Sequence, residues 1–62
     1  MNSHNIIKRL LDEGWVQVRS KGSHRQFKHA VKPGLVTVPH PKKDIPTGTA
    51  RAILKSAGID KP

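Results

Sequence analysis

The sequence predicts an α+β fold in which two helices pack on one face of a three-stranded antiparallel sheet, in the order α-β-β-β-α. Apolar residues recur at helical spacing near both ends of the chain. Between them, two-residue alternation is interrupted twice by glycine-containing turns, which is typical of three short strands. At 62 residues the chain is long enough for one small domain, residues 1–62. We expect residues 60–62 to be a frayed tail.

The first helix is predicted over roughly Ser3 to Glu13. The Ser3 hydroxyl can cap its first turn, because a side-chain oxygen at this position accepts a backbone N–H. Gly14 suits the position just past the end, where a left-handed residue is often needed. One apolar stripe at helical spacing should face the core, and it consists of Ile6, Ile7, Leu10 and Leu11.

Three strands are predicted at Trp15–Arg19, His24–Ala30 and Leu35–Val38, with turns at residues 20–23 and 31–34. Alternation assigns their residues to two faces. The face against the helices is expected to carry Val16, Val18, Phe27, Val36 and Val38. The other face can remain in water, as antiparallel sheets allow, and is expected to carry Trp15, Gln17, Arg19, His24, Gln26 and Lys28.

A stiff, cationic, proline-rich loop at residues 39–44 precedes the second helix. Pro46 suits the first turn of that helix. Apolar residues then recur at helical spacing, at Ala50, Ile53, Leu54 and Ala57. Gly58 should end the helix, and Ile59 should make the apolar contact that often accompanies a glycine C-cap.

Charge is the strongest indication of a partner. Twelve Lys and Arg against four Asp and Glu give a formal net charge of +8, which favours a nucleic acid over an anionic membrane or an acidic protein. The apolar runs are far too short to span a bilayer, and no signal peptide is visible. Cysteine is absent, which excludes disulfides and thiolate metal sites. We therefore expect a cytoplasmic protein that does not act at a membrane.

His24 is the candidate for proton transfer, since histidine titrates close to neutral pH. The residues alone leave open that it is only a surface side chain on a strand. His40 is a candidate second proton carrier, with the alternative that it holds the proline loop in place. His29 should be a partly covered edge residue and His4 should be solvated. His24 and His29 fall on opposite strand faces, so we expect no metal site.

Several polar residues surround these histidines and are candidates for binding the phosphates of a substrate: Lys21, Ser23, Arg25, Lys28, Lys42 and Lys43. Their alternative role is that of ordinary solvated charges, and for Ser23 that of capping a turn. Trp15 could stack on a base. A single tryptophan in so small a domain is, however, more often part of the core.

Four segments resemble the HicA toxin family in order and spacing: residues 22–27 (GSHRQF), 36–41 (VTVPHP), 45–49 (IPTGT) and 53–58 (ILKSAG). The resemblance extends from the first helix to Gly58. It implies a fold similar to the double-stranded-RNA-binding domain and a catalytic role for His24. It also implies a HicB-like antitoxin partner that covers the active site. Ala50 departs from the larger aliphatic residue expected there.

The resemblance implies the toxin of a type II toxin–antitoxin system, an endoribonuclease that cleaves mRNA and so inhibits translation. RNA supplies its own nucleophile, the 2′-hydroxyl, so the expected mechanism needs general acid–base help from a histidine and neither metal nor cofactor. The alternative is a non-catalytic RNA-binding module of the same fold. A third possibility is a small basic scaffold protein within a larger ribonucleoprotein.

Overall fold

Two helices flank three consecutive strands along the chain. The computed structural model describes residues 1–59, and the predicted frayed tail, residues 60–62, lies outside the described residues. The elements are α1 (Ser3–Asp12), β1 (Trp15–Lys21), β2 (His24–His29), β3 (Leu35–Pro39) and α2 (Thr47–Ser56). The strands form one antiparallel sheet in the order β1-β2-β3. The predicted fold class is confirmed.

Both helices cover the same face of the sheet, and the core lies between these layers. Each element contributes apolar side chains that are almost fully buried: Ile6, Leu10, Trp15, Phe27, Val36, Val38, Ile45, Ala50, Leu54, Ala57 and Ile59. Ala50 is buried despite its small size. Neither helix within residues 1–59 has the length and apolar character needed to cross a bilayer.

The face assignment predicted for the first half of β1 is wrong. Trp15 is only 1% exposed and belongs to the core, whereas Val16 and Val18 are 56% and 53% exposed. Trp15 pairs with His29 and Gln17 with Phe27, so these residues share the helix-facing side. Tryptophan has more apolar surface to bury than valine, and this larger gain decides which set faces inward.

A β-bulge then reverses the alternation within β1. The register shifts between Gln17 and Arg19, so that Arg19 pairs with Gln26 and Lys21 with His24. An extra residue in one strand re-aims every side chain that follows it. Because of this bulge, Arg19 lies on the predicted side of the sheet although Trp15 and Gln17 do not.

The starts of both helices differ from the prediction, because Pro46 is the N-cap of α2 and not a residue of its first turn. Asn2, not Ser3, caps α1, since its side-chain oxygen accepts the N–H of Asn5 at 2.8 Å. Leu11, predicted for the apolar stripe, is about half exposed.

The end of α2 follows the prediction: the N–H of Ile59 donates to Leu54 O at 2.8 Å and that of Gly58 to Lys55 O at 2.9 Å. This pair of bonds is the Schellman arrangement, and Ile59 is buried as expected.

Candidate functional site

The sheet turns one face away from both helices, and we call it the outer face. Cross-strand pairing and alternation assign to it Val16, Arg19, Lys21, His24, Gln26, Lys28, Leu35, Thr37 and Pro39. No helix among residues 1–59 covers it. This face is therefore open to solvent.

His24 begins β2 directly after a two-residue hairpin turn. Lys21 and His24 are paired, so Gly22 and Ser23 form the whole turn. Gly22 has φ +57° and Ser23 does not have a positive φ, as in a type II′ turn with glycine first. A tight turn of this kind holds His24 at the extreme end of the hairpin.

The His24 side chain is exposed, and its ring has no hydrogen bond or ion pair to any residue of 1–59. Its cross-strand neighbours are Lys21 on one side and Pro39 on the other. Side chains directly opposite each other on neighbouring strands lie about 5 Å apart at Cβ. The imidazole is therefore accessible to a substrate and has a cation beside it.

Two of the other predicted phosphate-binding residues share this face with His24. Lys21 is its direct cross-strand neighbour, and Lys28 lies farther along the same strand. Lys28 is flanked by the exposed side chains of Val16 and Leu35, each 56% exposed. The outer face thus combines cations with apolar patches, which suits contact with a nucleotide chain or a protein.

Arg25 lies on the opposite side of the sheet from His24. It pairs with Val38, whose side chain is in the core, and it is half-buried with an unpaired Nε. The structure does not bring Arg25 to the outer face. Ser23 is exposed in the turn, where its carbonyl oxygen accepts the N–H of His40 at 2.6 Å.

Lys42 and Lys43 lie around the end of the sheet, in the loop after β3. Backbone bonds tie this loop to the chain start: the N–H of Ser3 donates to Lys42 O at 2.9 Å, and that of Ile45 to Met1 O at 2.8 Å. The His40 bond to Ser23 fixes the loop beside the His24 turn. The loop that carries both lysines therefore lies beside the turn that carries His24, but neither lysine is on the outer face.

His40 holds the loop, as the structural alternative predicted. Its Nδ1 lies 2.7 Å from Ser3 Oγ, and that oxygen also accepts the N–H of Lys42 at 2.9 Å. Ser3 is almost completely buried. Local sequence patterns offered no sign of this contact, because Ser3 and His40 are 37 positions apart.

His29 connects three parts of the fold. Its Nε2–H donates to Glu13 O at 3.0 Å, while Nδ1 accepts the N–H groups of Val31 and Lys32 at 3.0 and 3.1 Å. Its ring meets Trp15 edge to face, with centroids 5.3 Å apart. Both ring nitrogens are occupied, so His29 is structural, and Trp15 in the core cannot stack on a base.

The remaining histidine, His4, is exposed at the start of α1, as predicted. Within residues 1–59, His, Asp and Glu side chains do not gather in a group of three that could hold a metal ion. The arrangement that remains is one exposed imidazole beside cations at the end of a hairpin. Such a group can exchange a proton with a bound anion.

The chain is similar to a protein of known structure and to one protein family. A solved structure described as "Toxin-Antitoxin complex from Streptococcus pneumoniae" contains a chain that superposes with a TM-score of 0.79. The two chains are 30% identical, and the match covers 94% of this chain and 97% of that one. A comparison with curated proteins produced no match. The family described as the HicA toxin of bacterial toxin–antitoxin systems matches residues 3–59, and the chain therefore belongs to the HicA toxin family.

Proposed function

We propose that this HicA toxin is a metal-independent endoribonuclease that cleaves mRNA, with His24 transferring the proton. In the reaction, the 2′-oxygen of one nucleotide forms a bond to the adjacent phosphorus, and the bond from phosphorus to the 5′-oxygen breaks. His24 takes the 2′-hydroxyl proton as the base, and the departing 5′-oxygen takes a proton from the resulting imidazolium or from water. The products are a 2′,3′-cyclic phosphate and a free 5′-hydroxyl.

The observation that carries this proposal is the position of His24. The imidazole is exposed at the end of the β1–β2 hairpin and has Lys21 as its cross-strand neighbour. A cation there would stabilise negative charge on the phosphoryl oxygens as the transition state forms. Lys28 and Arg19 extend the positive charge along the same face, where further phosphates of a long substrate would bind.

The decisive experiment incubates purified protein with single-stranded RNA in the presence of EDTA. We expect cleavage by the wild type and at least a hundredfold slower cleavage by His24→Ala, since general acid–base help contributes about 10² to 10⁴ in rate. Arg51→Ala is the control, because Arg51 is also exposed but lies on α2, which packs on the other face of the sheet. It should cleave at the wild-type rate.

Two further readouts distinguish a metal-independent nuclease from a metal-dependent one and from a non-catalytic RNA-binding module. A DNA strand of the same sequence should survive, because it has no 2′-hydroxyl to attack phosphorus. RNA that stays intact with the wild type both with and without EDTA would contradict the nuclease proposal and favour a non-catalytic RNA-binding module. Loss of cleavage on adding EDTA would instead show that the reaction depends on a metal.

We also propose that a HicB-like antitoxin inhibits this toxin by covering the outer face. The superposed chain comes from a toxin–antitoxin complex, and the outer face here combines exposed Val16 and Leu35 with several cations. An acidic partner would complement that charge. Val16→Glu should weaken a co-purified complex, whereas Arg51→Glu, an exposed change on α2, should leave it intact.

A further inference from the structure

An open groove of about 650 Å³ lies where the loop after β3 crosses the first turn of α1. It is lined by residues 2–4 and 40–43, which include His4, His40, Lys42 and Lys43. Lys42 and Lys43 have no ion-pair partner among residues 1–59. The neighbouring carboxylate, Asp44, faces the N-terminal amine at 4.0 Å. The groove is therefore positively charged.

The hydrogen bonds of Ser3 determine which ring nitrogen of His40 carries the proton. A hydroxyl offers one donor and two acceptor positions. The N–H of Lys42 occupies one acceptor position of Ser3 Oγ, and the other contact is His40 Nδ1 at 2.7 Å. If Nδ1 carried a proton, the buried O–H of Ser3 would have no acceptor within residues 1–59. Every group is satisfied when Ser3 donates to Nδ1.

In this arrangement the other ring nitrogen of His40, Nε2, is the one that can donate a hydrogen bond. With Nδ1 accepting, the proton of a neutral imidazole is on Nε2. Nε2 has no partner among residues 1–59 and is not one of the buried unpaired atoms, so it reaches solvent. His40 lines the groove. An N–H donor and two ammonium groups are thus available to an anion there.

We infer that the groove binds a second backbone phosphate of the RNA, next to the one that reacts at His24, with His40 Nε2–H donating to it. Lys42 and Lys43 supply the charge, and Ser3 is a positioning residue for His40. The inference rests on the proposed function for its ligand. Both sites lie at the same end of the sheet, because Pro39 pairs with His24 and His40 bonds to Ser23. One nucleic acid strand can therefore reach both.

His40→Asn separates this substrate contact from the loop-holding role. The asparagine oxygen takes the place of Nδ1 and can accept from Ser3, whereas no donor remains at the Nε2 position. The assay is fluorescence anisotropy with a fully 2′-O-methylated RNA, which binds but cannot be cleaved. We expect a dissociation constant about ten- to a hundredfold higher than wild type, since a hydrogen bond to a charged group is lost. The melting temperature should stay within a few degrees.

His40→Gln is the complementary variant, because it returns an N–H near the Nε2 position while losing the bond to Ser3. We expect its affinity for the methylated RNA to lie within about threefold of wild type. Wild-type affinity in His40→Asn would overturn the inference and leave His40 a structural residue only. Inorganic phosphate up to millimolar concentration should compete weakly. Full displacement of the RNA by it would show a free-anion site instead.

Lys43→Ala provides a test that does not depend on His40 variants folding. Removing one phosphate contact should lower the slope of log affinity against log salt by about 1. Arg51→Ala removes an equal charge on exposed α2 and should leave the slope unchanged. If Lys43→Ala and Arg51→Ala gave the same slope of log affinity against log salt, the proposed phosphate site in the groove would be wrong. Since the RNA cannot be cleaved, these results stand apart from the nuclease assay: wild type that binds as expected but cleaves nothing would contradict only the proposed function.

Discussion

His29→Ala should destabilise the protein severely, although His29 is outside the proposed site. The substitution removes three hydrogen bonds, to Glu13 O and from the N–H groups of Val31 and Lys32. Each is worth about 0.5–1.5 kcal/mol net, and we take the lower half because two of them are exposed, giving about 2 kcal/mol. The edge-to-face contact with Trp15 adds about 0.5–1.5 kcal/mol.

The total of about 3 kcal/mol is a large share of the stability of a domain, which is about 5–15 kcal/mol. At this chain length, 1 kcal/mol shifts the melting temperature by about 4–8 °C, so we expect a loss of about 10–25 °C. Thermal unfolding followed by circular dichroism measures it. Urea titration gives the free energy of unfolding independently.

His29→Asn is the matched control for this calculation. An asparagine oxygen can accept the N–H groups two and three positions ahead, as in an Asx turn, but it reaches neither Glu13 nor Trp15. It should therefore recover roughly half of the lost stability, about 1–1.5 kcal/mol. If His29→Ala costs less than 1 kcal/mol, or if the two variants are equally unstable, the reasoning from the hydrogen bonds fails.

Three further predictions concern stability and RNA binding. Gly14→Ala and Gly34→Ala both force alanine to a φ near +90°. Only at Gly14 would the new Cβ also lie 2.9 Å from His29 Nε2. Gly14→Ala should therefore lower the free energy of unfolding, measured by urea titration, by about 1 kcal/mol more than Gly34→Ala does. Val36→Thr should lower the free energy of unfolding by about 1–2 kcal/mol, because it buries a hydroxyl in the core. Val16→Thr, at an exposed position, should lower it by less than about 0.5 kcal/mol, and thermal melts can check both values. Lys28→Ala should weaken binding of all RNA sequences alike and lower the salt slope by about 1.

Apolar spacing was sufficient to predict the helices and the order of the strands. Ile6 and Leu10 on α1, and Ala50 and Leu54 on α2, are buried as their periodicity indicates. Glycine also located the end of α2, because a left-handed residue after the helix permits the Schellman bonds. These features depend on residues only a few positions apart, which a local pattern can represent.

The residues around His24 were only partly predictable. Lys28 shares its face, as expected. Lys21, predicted in a turn, is instead the last residue of β1 and pairs with His24, whereas Arg25 is on the helix-facing side. Contacts such as Ser3 to His40 join positions 37 residues apart, and no local pattern contains them. The roles of Ser3 and His29 likewise depend on which backbone groups are left unpaired after folding. That information exists only in the assembled structure.

The bulge in β1 explains how one short strand serves both the core and the outer face. With Trp15 in the core, strict alternation would direct Arg19 and Lys21 toward the helices, where unpaired cations are costly to bury. The extra residue between Gln17 and Arg19 moves both cations to the face of His24. The strand can therefore bury its tryptophan and still place positive charge beside the imidazole. Exposed Val16 and Val18 follow from the same arrangement, because they occupy positions that face away from the core.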